Sequence, residues 1–224
     1  MNEIIHEKII TGALETNCWI VPLEGAAPDG LAPAAVIDPG GDADKIISCL
    51  ERRKLYPKCI LLTHGHFDHI EALPALYRHY SGRGAAPQVA IHGEDLMYLG
   101  ADSLAAHRRS FAAAGAPYYV DQLWESMPDA DMALAEGDKI EIFTVLHLPG
   151  HTKGSVAFFD ETNGRLYSGD TLFNAGVGRT DLPGGDTDAL EASLVRLFKL
   201  DGNIAVFPGH GPSTTIAHES HHWV

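Results

Sequence analysis

Short apolar runs that end abruptly in glycine, proline, aspartate or histidine recur along the chain. The runs are TNCWIVPL, AAVIDPG, CILLTH, QVAIHG, KIEIFTVLHLPG, SVAFFD, RLYSGD and NIAVFPGH. Runs of this length, bounded by turn-forming residues, are typical of β-strands that are buried in a core. The chain is therefore predicted to contain many short strands, a good number of them buried.

Stretches with helical spacing separate these strands. Residues 42–55, 70–80 and 187–200 read as helices, and the first has acidic residues early and basic residues late, as the helix dipole favours. The Asn-Gly pair in DETNG, at 160–164, predicts a hairpin turn between two strands. This pattern predicts an α/β (α+β) chain. Periodicity alone leaves open a four-layer αββα sandwich and a doubly wound sheet.

Composition limits the possible partners. The 224 residues fit one domain, 1–224, and the net charge of −14 disfavours a nucleic-acid groove or an anionic membrane surface. No apolar run approaches the roughly 18 residues of a membrane span, and the N-terminus lacks a signal-peptide pattern. Three scattered cysteines without a CxxC motif are typical of reduced thiols. We expect a cytoplasmic protein with a small-molecule substrate; no pattern indicates an oligomeric state.

Residues 100–135 differ from the rest of the chain. They are rich in alanine, contain two prolines and carry no ligand-like motif. We interpret them as a helical or irregular insertion. Two interpretations stay open: a lid whose Tyr118, Tyr119 and Trp124 line a pocket, or a surface excursion in which these aromatics are exposed or form local core.

The stretch THGHFDH, Thr63–His69, follows the apolar run CILL. Residues two apart in an extended segment point to the same side, so His64 and His66 can bind one metal together. Asp68 and His69 begin the next element and can face a second metal close by. Imidazole and carboxylate ligands suit zinc, iron or manganese. The motif therefore predicts a metal site, with a polar turn as the alternative.

Three further strand ends carry residues of the same type. LPGHTKGS supplies His151, LYSGDTLF supplies Asp170 and FPGHGPST supplies His210. In each case glycine precedes the polar residue and lets the backbone turn tightly. Buried polar groups without partners would be costly, so packing alone does not explain this repetition.

Together, HGHFDH, GHT, SGDTLF and PGHG resemble the metallo-β-lactamase superfamily. The resemblance runs from 63 to 211, and the flanking strands extend it over nearly the whole chain. It implies a four-layer αββα sandwich with the site at one edge, between the two sheets. It also implies two divalent metal ions, zinc first, with iron or manganese as alternatives. The implied ligands are His64, His66 and His151 for the first metal, Asp68, His69 and His210 for the second, and Asp170 bridging both.

Within the superfamily, the chain resembles short bacterial glyoxalase II-like proteins, the hydroxyacylglutathione hydrolases. The residues that carry this resemblance are GRTD at 178–181 and PGHGPSTTI at 208–216. Class B β-lactamases match less well, because no cysteine occupies a ligand position. The C-terminal helical domain that helps glyoxalase II hold glutathione is not expected, because the chain ends 14 residues after His210.

The resemblance implies hydrolysis of a thioester, such as an S-acylglutathione, by a metal-bound hydroxide. Two divalent ions outweigh the charge of two carboxylates and a hydroxide, which suits an anionic transition state. Asp68 is the catalytic candidate, because it can orient the hydroxide and accept a proton. Asp38 is a candidate hydrogen-bond partner for a metal-bound histidine. Lys153 and Arg179 are candidate substrate-binding residues; the alternatives are a solvated lysine and an arginine paired with Asp181.

Two other functions stay open. Persulfide dioxygenases of the same superfamily share GRTD and use a single iron, which His64 or His66 would hold here together with His151 and Asp170. A metal-binding module without turnover is the third interpretation.

Overall fold

Two six-stranded sheets form the centre of the structure, a computed structural model that describes residues 6–25, 30–84 and 86–223. The first sheet has the order β1-β2-β3-β4-β5-β6 and the second β14-β13-β10-β9-β8-β7, while β11 and β12 form a separate ribbon. The strands are β1 (Glu7–Thr11), β2 (Thr16–Pro22), β3 (Ala32–Ile37), β4 (Leu55–Leu61), β5 (Gln88–His92), β6 (Met132–Leu134), β7 (Lys139–Ile140), β8 (Phe143–His147), β9 (Val156–Asp160), β10 (Arg165–Gly169), β11 (Leu172–Phe173), β12 (Gly176–Val177), β13 (Ala205–Pro208) and β14 (Thr214–Thr215).

Helices cover the outer faces of both sheets. They are α1 (Ala43–Arg52), α2 (Phe67–Ile70), α3 (Leu73–Ser81), a 3₁₀ helix (Gly93–Tyr98), α4 (Leu104–Ala113), α5 (Tyr119–Leu123), α6 (Thr187–Leu197) and α7 (Ile216–Trp223). Among the described residues, no helix is long and apolar enough to cross a bilayer.

The alternation of side chains along β2 separates two of the core layers. Successive side chains of a strand point to opposite faces. Cys18 and Ile20 face the helices of the first sheet, whereas Trp19 and Val21 face the second sheet. Full burial of an aliphatic side chain such as Ile20 or Val21 contributes roughly 1.5–3 kcal/mol to folding.

The second sheet divides its side chains in the same way. On β10, Tyr167 packs between the sheets, and Leu166 packs with Leu190 and Leu194 of α6. The layers are therefore helices, sheet, sheet and helices. This confirms the four-layer αββα sandwich and excludes the doubly wound sheet.

Two sequence expectations about individual elements are wrong. KIEIFTVLH was expected to be one strand, but Lys139 pairs with Thr144 and Ile140 with Phe143, so β7 and β8 form a tight hairpin. Its turn places Glu141 at a φ of 52°, without the glycine or asparagine that usually marks such turns. The insertion at 100–135 is not only helical or irregular, because β6 pairs parallel to β5 at the edge of the first sheet.

Candidate metal centre

Five strands end at the same edge of the sandwich, and a polar side chain follows each of them. Asp38 follows β3, the motif beginning at His64 follows β4, His151 follows β8, Asp170 follows β10 and His210 follows β13. The parallel pairs β3–β4 and β10–β13 bring the carboxyl ends of neighbouring strands together. The fold thus gathers residues that are distant in sequence.

His64, His66 and His151 form a buried first triad, with one ligand-type atom of each within 4.8 Å of the others. His66 Nδ1 lies 2.8 Å from His151 Nε2. The Nε2 atoms of His64 and His66 are buried and have no hydrogen-bond partner among the described residues. Burial, followed by the neighbouring His151, lowers the pKa of His66 to about 3. Neutral imidazoles with unshared ring nitrogens are the form that binds metal, so this triad fits an ion.

Asp68, His69 and His210 form a second triad with the same spacing. The Nε2 atoms of His69 and His210 are 3.3 Å apart, and His210 Nε2 lies 3.4 Å from Asp68 Oδ2. Tetrahedral zinc, with ligands at about 2.0–2.1 Å, separates nitrogen or oxygen ligands by roughly 3.4 Å. The second triad therefore also fits an ion.

Asp170 lies between the two triads. Its Oδ1 is 3.3 Å from His69 Nε2, and its Oδ2 is 3.6 Å from His210 Nε2 and 3.7 Å from His151 Nε2. Burial raises the pKa of Asp170, but the nearby His69, His151 and His210 together outweigh burial and hold that pKa below its usual range. The carboxylate is therefore ionised and faces members of both triads.

Asp38 holds the first motif in place. Its carboxylate accepts hydrogen bonds from Thr63 N at 2.8 Å and Thr63 Oγ1 at 2.6 Å, and its Oδ2 lies 3.0 Å from His69 Nδ1. Thr63 Oγ1 also lies 3.1 Å from His64 Nδ1. Contacts of this kind fix the ring orientation of metal-binding histidines. They support the expectation that Asp38 is the hydrogen-bond partner of a histidine.

The two candidate substrate residues have different surroundings. The guanidinium of Arg179 makes two hydrogen bonds to Asp181, at 2.6 and 2.7 Å, while its carbonyl oxygen lies 2.7 Å from His151 Nδ1. Arg179 thus orients His151 through its backbone. Lys153 is exposed and lines a pocket beside the centre, and no ion-pair partner is found for it among the described residues.

Asp95 was missed by the sequence analysis. This buried residue of the 3₁₀ helix accepts hydrogen bonds from Gly65 N at 3.0 Å, Thr152 Oγ1 at 2.7 Å and Gly154 N at 2.9 Å. Gly65 lies between the first two histidines of the motif, and Thr152 follows His151. Asp95 therefore ties together the two loops of the first triad. The available signal was an acidic residue just after a buried strand, in QVAIHGED.

Gly209 is required by close packing. A Cβ atom at this position would overlap Asp170 Oδ1 and would lie 2.6 Å from His69 Cε1. Only glycine therefore lets the backbone pass beside the acidic residue between the triads.

The triads open into a cleft bordered by part of the insertion. The residues that line it are Leu14, His66, Asp68, Ser110, Phe111, Ala114, His151, Asp170, Arg179, Leu182 and His210. The aromatic residues expected at a pocket lie elsewhere. Tyr118 is 73% exposed, while Tyr119 and Trp124 pack against Phe67 in the core. Helix α4, rather than these aromatics, is the part of the insertion that borders the cleft.

Comparison with known proteins identifies the family. The family model described as the metallo-beta-lactamase superfamily matches residues 12–210. The chain belongs to the metallo-beta-lactamase superfamily. This superfamily binds divalent metals and includes metal-dependent hydrolases, which agrees with the His and Asp groups at the cleft.

Several members of the superfamily are similar over most of the chain. Hydroxyacylglutathione hydrolase GloC from Haemophilus influenzae is 34% identical, over 95% of this chain and 93% of the relative. TTHA1623 in a di-iron-bound form has 35% identity and a TM-score of 0.76, covering 96% of both chains. BLEG-1 B3 metallo-beta-lactamase has 34% identity and a TM-score of 0.79, covering 97% of both chains. ETHE1 from Myxococcus xanthus has 25% identity and a TM-score of 0.71, covering 98% of this chain and 83% of that one.

Proposed function

We propose that the protein is a dinuclear metal-dependent hydrolase that cleaves a small thioester, such as an S-acylglutathione. The observation that carries the proposal is that two triads of ligand-type atoms lie on either side of Asp170 in one cleft. The similarity to hydroxyacylglutathione hydrolase GloC supports the thioester as substrate.

The residues divide between metal binding and chemistry. We assign His64, His66 and His151 to one ion, Asp68, His69 and His210 to the other, and Asp170 to both. Ions held by these residues would lower the pKa of a bound water to about 7 and polarise a carbonyl oxygen. Asp68 is 14% exposed at its side chain and lines the cleft, so its carboxylate can orient the attacking water and accept its proton.

The metal that we propose is zinc, with iron or manganese as alternatives. The proposed ligands are imidazoles and carboxylates, and no cysteine lines the cleft among the described residues. All three cysteines are unpaired and buried, which supports a reducing, cytoplasmic environment. The proposal treats 1–224 as a single domain in which part of the insertion borders the cleft.

The test combines metal content with turnover. Protein purified without added metal or a His tag is measured by elemental mass spectrometry, and S-lactoylglutathione is the first substrate. We expect about two equivalents of metal per chain and a loss of about 10²-fold or more in kcat for Asp68→Ala and His66→Ala. His79→Ala, in α3 away from the cleft, is the control. Full turnover by both site variants would contradict the proposed centre.

A β-lactam belongs in the same assay, because BLEG-1 is as similar to this chain as GloC is. Faster turnover of a cephalosporin than of any thioester would replace the proposed substrate class. The dinuclear assignment would stand.

A mononuclear iron persulfide dioxygenase is the second candidate. It is supported by the motif GRTD at 178–181 and by the similarity to ETHE1. Oxygen uptake with glutathione persulfide, by protein holding about one equivalent of iron, would favour it. Iron-loaded protein that consumes no oxygen would exclude it.

A further inference from the structure

A second pocket continues the cleft of the metal centre to one side. Helix α4 contributes Ser110 to both cavities. Two loops also border both cavities. In one loop His151 lines the cleft and the next residue, Thr152, lines the second pocket; in the other loop Leu182 lines the cleft and Pro183 lines the second pocket. Because the same three segments line both spaces, a substrate held at the metal centre can extend into the second pocket.

Two basic side chains line this pocket, Arg109 from α4 and Lys153 from the loop after His151. The chain carries a net charge of −14, and many of its basic residues have acidic partners. Arg108, the neighbour of Arg109, lies 2.6 Å from Asp121. Within the described part of the chain, by contrast, neither Arg109 nor Lys153 has an ion-pair partner. Two unpaired cations on one pocket of an acidic protein favour an anionic ligand.

The two acidic residues of the same pocket, Glu94 and Asp95, balance the formal charge of the two cations but do not pair with them. The oxygens of Asp95 accept three hydrogen bonds from the loops of the first triad, and the residue is buried. Glu94 is exposed at the rim. No contact of either acid with Arg109 or Lys153 is found among the described residues.

The remaining wall of the pocket is apolar. Met97 is 53% exposed, and Tyr98, Ala106 and Pro183 complete this surface. An exposed methionine provides a flexible apolar contact. The pocket therefore suits an anionic group at the end of a short carbon chain, rather than a free inorganic ion.

We propose that this Arg109–Lys153 pocket binds a carboxylate on the thiol half of the substrate. The pocket thereby selects thioesters whose thiol half carries a carboxylate. The inference rests on the proposed function, in which an S-acylglutathione carries its carboxylates on the thiol. It adds residues that select the substrate and do not hold the metals.

The test compares two thioesters that share the same acyl group, using metal-loaded full-length protein. The thiol half of S-lactoylglutathione carries carboxylates, whereas the thiol half of S-lactoyl-N-acetylcysteamine is uncharged. These are called the acidic and the neutral thioester. The readout is the ratio of kcat/KM for the acidic thioester to that for the neutral one. Exposed ion pairs are weak, so we expect this ratio to fall about threefold in Arg109→Gln or Lys153→Gln and about tenfold in the double variant.

Arg108→Gln is the matched control, because it removes a neighbouring charge that is already paired with Asp121. If the pocket selects the acidic thioester, Arg108→Gln leaves the ratio of the two kcat/KM values unchanged. Raised ionic strength also lowers the ratio in the wild-type protein more than in the double variant. An unchanged ratio in the double variant overturns the proposal. So does an equal effect on acetyl-CoA, whose anionic groups are phosphates.

A binding measurement separates this inference from the proposed function. Isothermal calorimetry of S-methylglutathione with the zinc-loaded protein requires no turnover. If neither thioester is hydrolysed, the proposed function fails, but weaker binding by the double variant than by Arg108→Gln still supports the pocket. Equal binding by the two variants overturns it.

Discussion

Asp95→Asn is the most informative single substitution, because it changes one atom and touches no proposed ligand. In the native protein, Asp95 Oδ2 accepts from Gly65 N and Thr152 Oγ1, and Oδ1 accepts from Gly154 N. An asparagine keeps the shape but has only one acceptor oxygen. If that oxygen takes the Oδ2 position, the amide nitrogen faces the N–H of Gly154, and both donors lose their partner.

The expected losses of stability and of metal affinity in Asp95→Asn follow from these contacts. A buried donor without a partner costs about 1–3 kcal/mol, and the two hydrogen bonds that remain lose their charge assistance. We therefore expect Asp95→Asn to lower the free energy of unfolding by about 2–4 kcal/mol. Since domains are typically stable by about 5–15 kcal/mol, the variant still folds. Loss of a partner that positions metal ligands typically reduces metal affinity about 10–100-fold, and we expect the same here.

The assay pairs urea unfolding of metal-free protein with zinc affinity measured by competition with a chelating dye. Asp160→Asn is the control, because this buried carboxylate accepts from Asn163 N at 3.1 Å and Asn163 Nδ2 at 2.7 Å, in the turn between β9 and β10. We expect the control to lose stability and to keep its zinc affinity. An Asp95→Asn variant that is destabilised but binds zinc as tightly as the control would refute the reasoning.

Three further predictions concern packing, acid stability and metal binding. Gly209→Ala forces a methyl group against Asp170 and His69, so we expect fewer metal ions per chain and lower activity. Mass spectrometry and turnover measure these two effects, and the control Gly82→Ala, at the end of α3, should change neither. Burial lowers the pKa of His107 to about 4, so the unfolded chain binds more protons below the unfolded-state pKa of about 6.5. Unfolding free energy should fall by up to about 3 kcal/mol from pH 6.5 to 4, and His107→Gln should flatten that slope in urea titrations; an unchanged slope would contradict the assignment. Zinc at 100 times its Kd should raise the free energy of unfolding by about 2.7 kcal/mol and the Tm by roughly 5–10 °C, as measured by calorimetry. A chelator should reverse both increases.

The sequence predicted that polar residues at several strand ends lie close together, and the structure places them in one cluster, while their role as metal ligands stays a prediction. His64, Asp170 and His210 each follow a buried strand, and the carboxyl ends of adjacent strands meet at one edge. The signal is local, because the turn residue and the polar residue lie side by side in sequence. Asp38 was found in the same way, at the end of β3.

Other features depend on long-range pairing or on turns without a sequence signal. The role of Asp95 requires β5 to lie beside β4 and the loop after β8 to lie close by, and neither arrangement is visible in HGED. The turn between β7 and β8 contains Glu141 in place of glycine, so periodicity joined two strands into one. The pairing of Arg179 with Asp181, by contrast, is local and was one of the two alternatives taken from the sequence, and the structure shows this pair.

Each triad takes two members from the end of the first sheet and one from the end of the second. His66 and His151 are 85 residues apart, and His69 and His210 are 141 residues apart. An ion bound in each triad would therefore act as a cross-link between the halves of the sandwich. By the chain-entropy model used for disulfides, a cross-link that closes a loop of about 100 residues is worth about 4.7 kcal/mol. The same ions that we propose for catalysis would thus keep the two sheets from separating until the metal is released.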